Sequence, residues 1–80
     1  MKAEVKLYAT LARYLPDDTG RRAPRILEID KDTTINQLLK HLKVPRKSAK
    51  LIFLNGVHAT GDETLSDGDR LGVFPPVAGG

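Results

Sequence analysis

The residues best suited to chemistry lie at the end of the chain, in the stretch Phe74-Pro75-Pro76-Val77-Ala78-Gly79-Gly80. At a glycine frequency of about 7%, two terminal glycines arise by chance in roughly 0.5% of chains. The prolines favour an extended arm, and glycine lacks the Cβ atom that would keep it out of a narrow channel. From Pro75 to Gly80 this arm reaches at most about 20 Å, enough to carry a carboxylate into another protein's active site. The pattern therefore predicts that the reactive group is the carboxylate of Gly80.

Such a carboxylate must be activated, because its charge repels nucleophiles and its leaving group would be oxide. ATP can convert it to an acyl adenylate, which sulfide or a persulfide opens to a thiocarboxylate. The chain has no cysteine, so it offers no thiolate of its own and must import its sulfur. We expect ATP and the catalytic side chains on a partner enzyme, and no cofactor bound by this chain.

Length and composition agree with a carrier more than with a self-sufficient enzyme. The 80 residues, 40% hydrophobic and 29% charged, form one globular domain with a small core. A chain this short buries only roughly 60% of the surface that it exposes when unfolded, which leaves little interior for a catalytic cleft. Charged residues interrupt the first fifteen positions, and no run approaches the ~20 apolar residues of a membrane span. We therefore expect a cytoplasmic protein without a membrane segment.

Hydrophobic periodicity predicts the elements that must position the tail. Alternation over 3–9 and 25–30 predicts two strands, with a single helical turn over 11–15 and a loop over 16–24. Thr34 and Gln37 form a capping box ahead of one apolar helical stripe, and Pro45 is expected to end that helix.

The second half of the chain reads as short strands joined by turns. Residues 51–54 are an apolar run expected to be buried on most sides, and Asn55-Gly56 predicts a hairpin turn into a return strand over 57–59. The closing strand over 70–74 should point Leu71 and Val73 inward. Phe74 then falls on the opposite face, where a large exposed aromatic suggests a partner contact.

This order of elements predicts an α+β fold, the ubiquitin-like β-grasp. Its mixed sheet has the first and last strands parallel at the centre, and one main helix packs across it. We expect the domain to cover residues 1–76 and residues 77–80 to form a flexible tail.

Other side chains that could bind a metal or a phosphate give weaker evidence of a site. His41 and His58 have no third ligand at zinc spacing, so no metal site is predicted. The acidic residues Asp62, Glu63, Asp67 and Asp69 lack the ligand spacing of an EF-hand, and turn or cap roles explain them better. Gly56 and Gly61 are spaced as in a P-loop, but Asp62 follows where the phosphate-binding lysine is needed.

Basic residues are concentrated in the first fifty positions, in the groups Arg21, Arg22, Arg25 and Arg46, Lys47, Lys50. Such clusters can neutralise nucleic-acid phosphates. Only 5% of the residues are aromatic, and they are not interleaved with basic residues, so the platform for base stacking is missing. An acidic patch on a protein partner is the expected counterpart, and nucleic acid is not.

The segments VKLYATLARYLP, LSDGDRLG and VFPPVAGG resemble the MoaD/ThiS sulfur-carrier family, and the double proline is nearer to its MoaD-like members than to the thiazole-forming carriers. The resemblance implies that a MoeB-like adenylyltransferase activates Gly80 and that a sulfur donor protein supplies the sulfur. It further implies sulfur donation in molybdopterin (molybdenum cofactor) biosynthesis, as the small subunit of a synthase with a MoaE-like large subunit. The residues that would contact these partners are Phe74, Pro75, Pro76, Val77, Ala78 and Gly79. The two basic groups match nothing in the family.

Three alternatives stay open. The chain could serve another sulfur pathway, such as thiazole (thiamine) or cysteine synthesis. It could be a ubiquitin-like modifier conjugated to lysines through Gly80, or a noncatalytic β-grasp interaction domain. These hypotheses differ in what happens to the C-terminus.

Overall fold

The computed structural model describes residues 1–14 and 25–76. Strand β1 (Lys2–Leu7) buries Ala3, Val5 and Leu7 on one face, as their alternation predicts. A 3-10 helix (Ala9–Tyr14) follows. It starts earlier than the predicted turn because Ala9, at a φ of 52°, leaves the extended conformation, so the strand ends at Leu7 and not at residue 9 as predicted.

Strand β2 (Arg25–Glu28) is shorter than the predicted strand over 25–30, although Ile29 is still buried. Helix α1 (Ile35–His41) begins at Thr34, whose hydroxyl accepts a hydrogen bond from the Gln37 N–H, and the reciprocal bond completes the predicted capping box. The helix ends before Pro45. Lys43, at a φ of 66°, already turns the chain away, so the proline follows the terminus and does not create it.

A short 3-10 helix (Arg46–Ser48) leads into β3 (Leu51–Leu54), β4 (Val57–Ala59) and β5 (Arg70–Phe74). Asn55 and Gly56 have φ values of 54° and 82°, the left-handed pair of a type I′ hairpin turn. The expectation that β3 is buried on most sides is wrong: Ile52 is buried, but Leu51 is 39% exposed. The reason is that only one face of the sheet is covered.

The five strands form one sheet in the order β2-β1-β5-β3-β4. β1 and β5 are parallel, in a register that runs from Glu4 opposite Arg70 to Leu7 opposite Val73, and the other pairs are antiparallel. Helix α1 packs Ile35, Leu38 and Leu39 into the same core as the inward residues of the strands. The predicted β-grasp, with its first and last strands parallel, is confirmed.

Within the described residues, no helix has the length and apolar character needed to cross a bilayer.

Candidate functional site

The sheet face opposite α1 carries three rings that we call the aromatic patch: Tyr8, Phe53 and Phe74. The Tyr8 and Phe74 rings are stacked, with centroids 3.9 Å apart and planes at 10°. Phe53 meets Phe74 edge to face, with centroids 5.8 Å apart. The patch exists because each ring follows or precedes a core residue in its strand, and alternation turns it to the other face. Stacked and edge-to-face pairs are the geometries that aromatic quadrupoles favour.

Phe74 lies on the predicted face, opposite to the buried Leu71 and Val73. It is half-buried, however, and not the fully exposed aromatic that the sequence suggested. Tyr8 covers one of its ring faces and Phe53 approaches from the side. Phe74 therefore contributes to the stability of the domain as well as offering a contact surface.

A groove of about 500 Å³ opens beside the patch, and Gly72 is the reason for it. Gly72 pairs with Lys6 of β1 on one side and with Phe53 of β3 on the other, so the centre of this face carries no side chain. A Cβ atom placed there would meet only the Tyr8 ring, at an ordinary 3.5 Å. The groove is lined by aromatic rings and by the charged residues Glu4, Lys6 and Arg70. It can take an apolar side chain from a partner, with charges at the rim to fix orientation.

The tail leaves the sheet next to the aromatic patch. The last bond to β5 runs from the Lys50 N–H to the Phe74 carbonyl, at 2.9 Å. Pro75 and Pro76 follow without an N–H group, so neither can donate to the sheet ladder. Pro75 is half-buried and Pro76 is exposed. The described part of the tail therefore begins beside the patch.

Several predicted site residues lie outside the described residues. They are the predicted partner contacts Val77, Ala78 and Gly79, the predicted reactive Gly80, and Arg21 and Arg22 of the first basic group. Their roles stay predictions. The start of the flexible tail at residue 77 also stays a prediction.

The two histidines are separated by the fold. His41 is exposed on α1, whereas His58 lies on the open sheet face with its ring 5.7 Å from that of Phe53. In the ranges 1–14 and 25–76, no three potential ligand side chains come together as a metal site.

Of the four acidic residues, Glu63 and Asp69 hold turns together, as predicted, whereas Asp62 and Asp67 connect distant elements: the Asp62 carboxylate accepts a hydrogen bond from Asn36 Nδ2 of α1. The Glu63 carboxylate accepts hydrogen bonds from the backbone N–H groups of Thr60 and Gly61. Backbone hydrogen bonding, chiefly from Thr60, lowers the pKa of Glu63 from 4.5 to about 2, because it stabilises the ionised form. The Asp67 carboxylate accepts from the Lys2 N–H, and that of Asp69 accepts from the Ser66 N–H.

Two residues of the predicted basic groups are tied to the fold in different ways. Arg46 donates to Asn36 Oδ1 at 2.9 Å and to the carbonyls of Ala49 and Thr60 at 2.8 Å each. Its side chain therefore joins α1, the short 3-10 helix and the end of β4. Arg25 lies at the start of β2, paired in register with Val5.

Sequence reasoning missed Tyr8, Phe53 and Gly72 as members of the site. The outward position of Tyr8 was available from the alternation of the first strand. The role of Phe53 depends on strand register, because an unbroken apolar run does not indicate which residues face out. Gly72 carries no sequence signal at all, since only its position between Lys6 and Phe53 makes it the floor of a groove.

Comparison with known proteins adds a family and several similar structures. The model of the ThiS family matches residues 5–80. The crystal structure of SAMP1 from Haloferax volcanii is 26% identical, covers 100% of both chains and superposes with a TM-score of 0.69. A putative molybdopterin converting factor subunit 1 from Pyrococcus furiosus is 26% identical over 96% of this chain and 99% of its own, with a TM-score of 0.67.

A chain in the complex of subunits 1 and 2 of molybdopterin-converting factor from Helicobacter pylori is 20% identical to this protein. It covers 100% of both chains with a TM-score of 0.58, and at this identity it supports the fold alone. No curated protein sequence matches the chain.

Proposed function

Because the chain belongs to the ThiS family, we propose that it is a sulfur carrier whose Gly80 carboxylate is the loading site. In the first step the carboxylate oxygen attacks the α-phosphorus of ATP, which gives an acyl adenylate and pyrophosphate. In the second step sulfide displaces AMP and leaves a thiocarboxylate. If a persulfide displaces AMP instead, the product is an acyl disulfide, and a thiol of the donor then cleaves its S–S bond, which leaves the thiocarboxylate and a disulfide on the donor. Both steps take place in a partner's active site, and no side chain of this chain takes part in them.

One structural observation carries the proposal: the chain leaves the sheet at the aromatic patch. The hydrogen bond from Lys50 to Phe74 fixes the root of the tail, and the patch and groove lie beside it. A partner that docks on this rigid face receives the tail in a defined direction. Orientation of this kind accounts for much of the rate enhancement when two reacting groups come from different molecules.

For the pathway, we propose molybdopterin synthesis, in which this chain is the sulfur-supplying small subunit and a MoaE-like large subunit holds the substrate. The double proline Pro75-Pro76 and the similarity to the Pyrococcus furiosus factor support this choice. The Helicobacter pylori complex shows the same fold in a protein assembled with a second subunit. A MoeB-like adenylyltransferase would bind the ATP, a sulfur donor protein would supply the sulfur, and the cytoplasm would supply the ATP.

The proposal is tested by loading the intact chain with sulfur. The protein is incubated with a MoeB-like enzyme, ATP and a sulfur source, and its intact mass is recorded. We expect a gain equal to the replacement of one oxygen by sulfur, located on the C-terminal peptide and dependent on ATP. The absence of this gain with cognate activators would reject the loading of Gly80.

Two variants of the tip provide the matched controls. A residue appended after Gly80 converts its carboxylate to a peptide bond, and a leucine at position 79 adds a side chain where a narrow channel is expected. Both changes lie beyond the sheet, so both proteins should fold with unchanged stability and yet fail to be adenylated. Full loading of an uncleaved extended chain would contradict the central role of Gly80.

A second function is favoured by the similarity to small archaeal modifier protein 1 (SAMP1) of Haloferax volcanii, two crystal structures of which are 26% and 28% identical to this chain. In a modifier, the activated Gly80 carbonyl would form an isopeptide bond with a lysine and release AMP or a carrier thiol. Mass spectrometry of cellular proteins separates the two functions. Gly-Gly branches derived from this chain would establish conjugation, whereas a free thiocarboxylate terminus supports sulfur delivery.

A further inference from the structure

Basic and acidic residues are unevenly distributed along this chain, and the basic ones are concentrated away from the aromatic patch. From Thr33 to Gly61 the sequence contains no aspartate or glutamate, yet it contains Lys40, Lys43, Arg46, Lys47 and Lys50. The first three of these lie on α1 and the turns that follow it, and α1 covers the sheet face opposite to the patch. The helix side of the domain is therefore a second surface with its own chemistry.

The lysines of this surface are available to a partner. Lys40, Lys43 and Lys47, which we call the basic surface, are all exposed. In the part of the chain that the structure describes, the one ion pair joins the Met1 amino group to Glu28, and none involves these lysines. These like charges repel one another, and an acidic partner would relieve that repulsion. One carboxylate, that of Asp62, reaches this side of the domain, where it accepts a hydrogen bond from Asn36 Nδ2 at 3.1 Å.

A small notch adds an apolar contact to this surface. It has a volume of about 250 Å³ and lies between α1 and the short 3-10 helix. Its lining consists of Asn36, Leu39, Lys40, Val44 and Arg46. The three hydrogen bonds of the Arg46 guanidinium hold one wall in place, so the notch is formed before any partner binds.

From these observations we propose that the basic surface binds an acidic protein segment that places one aliphatic side chain in the notch. The lysines would pair with its carboxylates. Leu39 and Val44, which are 1% and 4% exposed, would form the floor of the notch beneath the aliphatic group. The aliphatic stems of Lys40 and Arg46 would form its walls. A nucleic acid would need an aromatic platform for its bases, and none of the five residues that line the notch is aromatic. The aliphatic lining favours a protein segment.

This proposal goes beyond sulfur delivery and does not depend on it. Because the basic surface and the aromatic patch lie on opposite sides of the domain, an acidic segment can bind while the patch and the tail are occupied. The surface could thus hold the carrier on a larger assembly, or beside a second enzyme, during transfer of the tail between active sites.

The test uses the full chain and a fluorescein-labelled peptide of alternating aspartate and glutamate with one central leucine. Fluorescence anisotropy should show binding that weakens as the salt concentration rises. The double variant Lys40→Glu, Lys47→Glu should bind about tenfold or more weakly, because two attractive charges become repulsive. The matched control Lys2→Glu, Lys31→Glu has the same net charge and should change binding by less than about twofold. Lys43 is left unchanged because its positive φ would complicate a substitution.

Four results would overturn the proposal. Equal weakening in both double variants would mean that only net charge matters. If a peptide with serine in place of leucine binds as tightly, the notch does not take up the aliphatic side chain. If a single-stranded RNA of the same charge binds more tightly than the peptide, and the Lys40→Glu, Lys47→Glu variant loses this binding, the surface is a nucleic-acid site. Circular dichroism of both variants should match the parent chain, and absence of peptide binding to that parent would reject the site.

Discussion

Tyr8 lies flat against Phe74, with ring centroids 3.9 Å apart and planes at 10°. This contact joins the end of the first strand to the last residue of the final strand, and the Tyr8 N–H also donates to the Val73 carbonyl at 3.0 Å. The stacked pair thus fixes the point at which the tail begins. The position of the residue that precedes Pro75 is therefore set by a contact between residues 66 positions apart in the chain.

Replacement of Phe74 by arginine should weaken association with both the activating enzyme and the synthase large subunit. Because two ring contacts are lost, the free energy of unfolding should also fall by about 1–2 kcal/mol. Urea denaturation and isothermal titration calorimetry measure the two effects. Ile26→Arg is the control, since Ile26 is 67% exposed on the edge strand β2. Equal loss of binding in this control would move the docking site away from the patch.

Replacement of Gly72 by glutamine should block docking without damage to the fold. Its Cβ would meet only Tyr8, at 3.5 Å, and the longer side chain would fill the groove over the sheet. We expect a denaturation midpoint near that of the parent and a loss of binding to both partners. Retained binding together with intact folding would show that the groove is not part of the interface. Gly72→Ala, which adds a single methyl group, should have the smaller effect.

Loss of the Arg46 side-chain hydrogen bonds should destabilise the domain. In Arg46→Met the contacts to Asn36, Ala49 and Thr60 disappear, and the free energy of unfolding should fall by about 1–3 kcal/mol. The adjacent Lys47→Met is the matched control, because Lys47 is exposed and no partner is seen for its side chain among the described residues. Similar stability losses in the two variants would contradict a structural role for Arg46.

Gly61 and Gly68 form a matched pair for a test of close packing. Both have positive φ, at 109° and 86°, so alanine is strained at either position. A Cβ at Gly61 would also collide with the Asn36 side chain, whereas nothing lies within 4 Å of one at Gly68. Chemical denaturation should therefore show a larger loss for Gly61→Ala, by at least about 1 kcal/mol. Equal losses would mean that Asn36 moves aside freely.

Stability should fall in acid through Glu63. Its pKa in the folded protein is lowered to about 2 from 4.5, so between these values the unfolded chain binds more protons. Its contribution is fully present above about pH 4.5 and is lost as the pH falls towards 2. Denaturation midpoints followed over this range should fall less steeply for Glu63→Gln than for the parent. Asp32→Asn is the control, and an equally flattened profile in that variant would rule out Glu63 as the cause.

Much of the fold could be predicted because its signals are local. The capping box places the start of α1 at Thr34, Asn55-Gly56 places a hairpin turn, and alternation directs Leu71 and Val73 inward. Each signal depends on residues within a few positions of one another, where backbone preference and side-chain spacing act directly. The C-terminal tail and its predicted reactive carboxylate can likewise be recognised from the sequence alone.

Only the tertiary structure assembled the surfaces. Phe53 and Phe74 belong to β3 and β5, and Tyr8 directly follows β1. Their contacts depend on the register that pairs Phe53 with Gly72 and Leu51 with Phe74. Arg46, which the sequence grouped with Lys47 and Lys50 as a basic cluster for an acidic partner, donates to three acceptors on different elements. Periodicity determines which face of an element is buried, but it does not determine which residue lies across the gap. That choice follows from the packing of the whole chain around one core.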